Sequence, residues 1–69
     1  MPTANVIANG EELPLQPPCT LLQFLELQQL LPRSVVVELN GEAVPPSEFA
    51  RHPLRNGDRL EIVRIAAGG

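Results

Sequence analysis

The chain has no lysine, no tryptophan and no tyrosine, and among its 69 residues only one cysteine (Cys19), one histidine (His52) and two phenylalanines (Phe24, Phe49). Each shortage closes off a class of chemistry. A single cysteine forms no intramolecular disulfide and builds no cysteine-based zinc site, and it fits a reducing compartment. His52 stands in "RHPL", just before a proline. It reads as a turn residue rather than a general base, because no Ser–His–acid set assembles around it. Ser34 and Ser47 read as turn or cap residues, with Ser47 a candidate cap for one short helical turn. The five basic residues are scattered arginines and the net charge is −3. Neither the basic stripe nor the stacking aromatics of a nucleic-acid binder is present. An acidic balance of this kind suits protein partners with basic docking surfaces. No apolar run reaches membrane-spanning length, and "MPTANVIANG" has neither the basic start nor the apolar core of a signal peptide, so a cytoplasmic location is expected.

What remains is a chain that is 43% hydrophobic, enough for one globular domain with a core that is marginal at this length. "ANVIAN" reads as a first strand that stops at Asn9-Gly10, a pair that tolerates positive φ and so marks a tight hairpin. "EELPLQ" returns as a second strand with Leu13 and Leu15 on one face. Pro14 lacks an N–H, which places this strand at a sheet edge. The period then changes. Thr20 with Gln23 three residues on matches a capping box, and Leu21, Phe24, Leu25, Leu27 and Leu31 follow helical spacing until Pro32, predicting a helix over 20–31. In "SVVVELNGEAV", Val35, Val37 and Leu39 alternate to one face, Asn40-Gly41 turns, and "EAV" returns. Pro45 and Pro46 break that strand, Asn56-Gly57 marks another turn, and "RLEIVRI" is a last strand. The order β-β-α-β-β-β predicts an α+β fold: a mixed sheet of about five strands with one main helix across it.

Catalytic apparatus is hard to assemble from these parts. Cys19 reads as a small hydrophobe under the helix start rather than a nucleophile. Asn5, Glu38 and Glu61 have no metal-ligand spacing, and "NGD" at 56–58 is a turn rather than a phosphate loop. No catalytic residue, metal ligand or bound cofactor is assigned. The remaining candidate is the α-carboxylate of Gly69. Residues 1–65 read as the domain and residues 66–69 (Ala66, Ala67, Gly68, Gly69) as a flexible diglycine tail. Without Cβ atoms, Gly68 and Gly69 suit a narrow channel, and four extended residues reach roughly 13–14 Å, at about 3.3–3.6 Å each. A carboxylate is a poor electrophile. Adenylation with ATP gives it a leaving group, in a closed site that holds nucleotide and carbonyl together.

The stretch "ELNGEAVPPSEFARHPLRNGDRLEIVRIAAGG" resembles the bacterial sulfur-carrier family of thiamine biosynthesis, ThiS. The shared features are the "LNG" hairpin, the "VP" breaker, the aromatic Phe49, the "L-x-N-G-D-x-L-E-I-V" run and the terminal diglycine. The hairpin and leucine-rich helix before it fall in the family's order. The chain departs at Pro46, where arginine is frequent, and at Phe49, where tryptophan is. The resemblance implies a ubiquitin-like β-grasp, with the first and last strands paired in parallel at the sheet centre. It implies that Gly69 is adenylated by an E1-like adenylyltransferase (ThiF-type) using ATP and magnesium. The product becomes a thiocarboxylate that donates sulfur to a thiazole synthase (ThiG-type). On this reading the protein is a carrier rather than an enzyme. The small subunit of molybdopterin synthase, another sulfur carrier, a ubiquitin-like modifier and a plain β-grasp interaction module are the alternatives.

Within "RLEIVRI", Leu60 and Ile62 fall on one face and Val63 and Ile65 on the other. One helix cannot cover both faces. Either loops cover the second set or partners do. Val63, Arg64 and Ile65, beside the tail, are the candidate partner interface.

Overall fold

Two Asn-Gly dipeptides fold the chain into its hairpins. Asn9 and Gly10 take φ of 52° and 82°, and Asn40 and Gly41 take 52° and 86°, the doubly positive geometry of a two-residue hairpin turn. The first turn joins β1 (Ala4–Ala8) to β2 (Glu11–Leu15), and the second joins β3 (Val35–Leu39) to β4 (Glu42–Val44). The last strand, β5 (Arg59–Arg64), lies between the hairpins, giving the sheet order β2-β1-β5-β3-β4. It runs parallel to β1 (Ile7 opposite Arg59, Ala8 opposite Leu60) and antiparallel to β3. β2, with Pro14, is an edge strand, as expected from its missing donor. These features come from the computed structural model, which describes residues 4–65.

The helix α1 spans Leu21–Leu27. The capping box forms in full: the Gln23 N–H donates to Thr20 Oγ1 at 3.1 Å, and the Thr20 N–H donates to Gln23 Oε1 at 2.8 Å. The helix ends four residues before the expected Leu31. Gln28 is its C-cap, and Gln29 takes φ of 61°. The Leu30 N–H reaches back to the Leu25 carbonyl (2.9 Å) and the Gln29 N–H to the Glu26 carbonyl (3.0 Å), which is a Schellman close. This exit turns Leu30 onto the core and leaves Leu27 and Leu31 74% and 66% exposed. The apolar stripe is therefore only Leu21, Phe24 and Leu25, narrower than the leucine spacing suggested. Two 3₁₀ turns follow, Pro32–Ser34 and Pro46–Arg51. Ser47 does not cap the second: Pro45 occupies the cap position without a side-chain bond, and Pro46 fixes the entry φ.

The core lies on one side of the sheet. Val6, Leu15, Val35, Val37, Val44 and Leu60 face Leu21, Phe24 and Leu25 of the helix, with Phe49, Leu54 and Cys19 closing the ends. Two bonds fasten the helix start to the stretch before β5: Leu21 N–H to the His52 carbonyl and Leu54 N–H to the Cys19 carbonyl, both 2.8 Å. The whole is a ubiquitin-like β-grasp, with the parallel β1–β5 pair at its centre.

Candidate functional site

The strand that leads toward residues 66–69 is held from both sides. Toward β3, its alternate residues bond regularly. The Asn40 N–H donates to the Arg59 carbonyl and, at the far end, the Ile65 N–H donates to the Ser34 carbonyl, both at 2.8 Å. Toward β1, the Ile7 N–H donates to the Asp58 carbonyl and the Asn9 N–H to the Leu60 carbonyl, each at 2.8 Å. There β1 turns away, since its pairing with β5 ends at Ala8 opposite Leu60. The Asn9 side chain takes over: the Ile62 N–H donates to Asn9 Oδ1 at 2.7 Å, and Asn9 Nδ2 donates to the Ile62 carbonyl at 3.0 Å.

The two faces of this strand differ. On the helix side, Leu60 is buried and Ile62 half-buried. Beyond them an open cleft of about 390 Å³ is lined by Leu13, Phe24, Leu30 and Ile62, with Asn9 and Arg64 among its polar groups. On the other side nothing covers the sheet among the described residues. Val63 and Ile65 are 61% and 50% exposed, and Val36, directly opposite Val63 on β3, is 49% exposed. The next outward-facing pair is Glu38 opposite Glu61, two carboxylates on neighbouring strands.

Of the expected interface residues, Val63 and Ile65 share this open apolar strip, while Arg64 alternates to the cleft side. Val36 was not anticipated. The signal for it was its middle place in Val35-Val36-Val37, where alternation sends it away from the core. Ala66, Ala67, Gly68 and Gly69, the expected tail and modification site, lie outside the described residues, as does the tail portion of the domain division.

The side chains set aside as structural behave so. Cys19 is buried, and burial pushes its thiol pKa up, away from thiolate chemistry. Asn5 anchors a turn: its N–H donates to Asn56 Oδ1 (2.8 Å), and its carbonyl accepts from the Gly57 N–H (2.7 Å). Asp58 caps the same turn by accepting from the Arg55 N–H at 2.8 Å. Phe49 is fully buried. No helix among the described residues is long and apolar enough to cross a membrane.

Comparison with known proteins matches residues 4–69 to the model of the ThiS family. A sulfur carrier protein ThiS from Thermus thermophilus is 41% identical over 61 residues, covering 88% of this chain and 94% of its own length. A thiazole synthase from Paramagnetospirillum magneticum is 38% identical over 65 residues, 94% of this chain. The chain spans 20% of the length of that relative. Among solved structures, the thiamine biosynthesis protein (ThiS) of Geobacter metallireducens superposes with a TM-score of 0.78 at 25% identity, over 94% of this chain and 99% of that one.

Proposed function

The chain belongs to the ThiS family, and from that premise we propose that it is a sulfur carrier of thiamine biosynthesis, with the Gly69 carboxylate as the group that receives and delivers sulfur. The observation that supports this most is the reach of the family match. It runs through residue 69 and so includes the diglycine, which follows a strand bonded on both sides. The Thermus relative, whose name is that of a sulfur carrier, matches over most of both chains.

The chemistry proposed belongs to partners, and this chain is their co-substrate. An E1-like adenylyltransferase of ThiF type, with ATP and magnesium, joins the Gly69 carboxylate to the α-phosphate, and pyrophosphate leaves. A sulfur donor then replaces AMP at the carbonyl carbon, and the resulting thiocarboxylate passes to a thiazole synthase of ThiG type. The thiazole synthase relative, which contains a matching stretch within a longer chain, supports the last pairing. This chain contributes positioning. The strip of Val36, Val63 and Ile65 serves as the face that partners cover, since removing apolar surface from water favours association by about 25 cal/mol per Å². Glu38 and Glu61 beside it suit a basic rim on the partner. Residues 66–69 bring the carboxylate to the nucleotide, Gly68 and Gly69 presenting backbone alone.

The test is ATP–pyrophosphate exchange with the adenylating enzyme, comparing the full chain with one lacking Gly69. Exchange with the full chain and its loss on deletion is the expected result. Equal exchange by both chains rules the Gly69 carboxylate out as the acceptor.

A further inference from the structure

We propose that Asn9 is a positioning residue for the chemistry of the carboxyl end, holding in place the late part of β5, the last strand before residues 66–69 in the sequence. The inference rests on the sulfur-carrier reading above. Its basis is that Asn9 has two separable roles. One is the hairpin turn, where its φ of 52° asks only for a residue that tolerates positive φ, and glycine would serve equally well. The turn does not require the second: the carboxamide receives the Ile62 N–H at 2.7 Å and donates to the Ile62 carbonyl at 3.0 Å. A carboxamide has the donor and acceptor layout of a peptide unit. Asn9 therefore supplies one more rung of strand pairing at the point where β1 has already turned back.

That rung stands where β5 is otherwise held from one side. Past Leu60 no residue of β1 lies opposite the strand, and only β3 and Ser34 remain as backbone neighbours. Ile62 also lines the open cleft with Leu30, Asn9 and Arg64, so packing on its helix side is incomplete. A strand bonded along one edge can swing about that edge. A bond on the other edge, two residues before the end of β5, limits the swing. Misplacing a reacting group by about 1 Å can cost on the order of a hundredfold in rate, and on this proposal a steady end of β5 narrows the volume that the reacting carbon has to search.

The fold carries its own control. Asn40 has the same φ of 52° and the same following glycine. Its Oδ1 accepts from the Arg59 N–H at 2.9 Å, and its Nδ2 donates to Asp58 Oδ1 at 3.1 Å. It fastens the start of β5 as Asn9 fastens the later part. Asn9→Gly and Asn40→Gly each keep the turn and remove two side-chain bonds: both to Ile62, late in β5, for Asn9, and one to Arg59 at the start of β5 with one to Asp58 just before it for Asn40.

The experiment measures kcat and KM for this chain as substrate in ATP–pyrophosphate exchange with the adenylating enzyme, using wild type and the two variants. Denaturation midpoints and amide hydrogen exchange at Ile62 and Arg64 are measured alongside. Asn9→Gly is expected to lower kcat by about tenfold or more with a smaller change in KM, because the β3–β5 pairing that sets Val63 opposite Val36 is kept while the second edge of β5 is released. Amide exchange at Ile62 should accelerate in that variant alone. Asn40→Gly should match its loss of midpoint yet keep kcat within about twofold of wild type. Asn9→Asp, which keeps the acceptor but loses the donor, should fall between wild type and Asn9→Gly, and it covers the case of a poorly folded glycine variant. Equal kcat losses in the two glycine variants, wild-type kcat in Asn9→Gly, or an effect confined to KM would overturn the inference while leaving the carrier reading intact. No exchange by wild type itself overturns the carrier reading, and this inference with it.

Discussion

Val35 and Val37 are 2% and 1% exposed beneath the helix, whereas Val36, between them, is 49% exposed on the opposite face. The same contrast recurs on β5, where Leu60 is 1% exposed and Val63 61%. Residues of one chemical type meet opposite environments because a strand alternates its side chains and a single short helix covers only one face. The inner face is explained by folding alone. The outer apolar strip contributes little to folding, and it lies at the end of β5 nearest residues 66–69. Its neighbours Glu38 and Glu61 add to the contrast, because like charges directly opposite are destabilising by tenths of a kcal/mol. A surface that works against stability in this way fits one shaped for a partner.

The comparison breaks most visibly in the core. Phe24→Ala should cost about 3–5 kcal/mol, enough to unfold much of a domain this small, while Val36→Ala should stay within about 0.5 kcal/mol. Urea denaturation of both variants measures this, and comparable losses would show that the outer face also packs. Binding reverses the ranking. Val63→Asp should raise the Kd for the adenylating enzyme by about tenfold or more with little change in denaturation midpoint, measured by calorimetry. Unchanged affinity in the folded variant removes Val63 from the interface. The smallest effect sharpens the charge argument. Glu38→Thr should stabilise the free protein by a few tenths of a kcal/mol and slow association with the partner at low salt. A stability loss would mean that the Glu38–Glu61 pair is not repulsive.

Much of the inner face was legible in the sequence because its signals are local. Asn9-Gly10 and Asn40-Gly41 specify their turns, Thr20 and Gln23 their capping box, and period-two alternation the buried valines. The helix end was not legible. Gln29 carries none of the glycine or asparagine signal that usually marks a left-handed cap, and Leu27 and Leu31 continue the helical spacing although they face water. Val36 joins Val63 through a register set by the Asn40 turn and the whole β3–β5 pairing, which no short window contains. Arg64 stands beside Val63 and Ile65 in sequence, yet the same alternation sends it to the cleft. The second role of Asn9 depends on Ile62, far away in the chain. Sequence patterns announce what a residue does for its own turn, and stay silent on what its side chain does for another strand.

The most direct test of the carrier account is the intact mass of the full-length protein after incubation with its adenylating enzyme, ATP, magnesium and a sulfur source. The account predicts the mass change of one oxygen replaced by one sulfur, located by fragmentation at Gly69 and absent when Gly69 is deleted. A mass that stays unchanged while the same enzyme thiocarboxylates another carrier, or sulfur found on Cys19 instead, would contradict it.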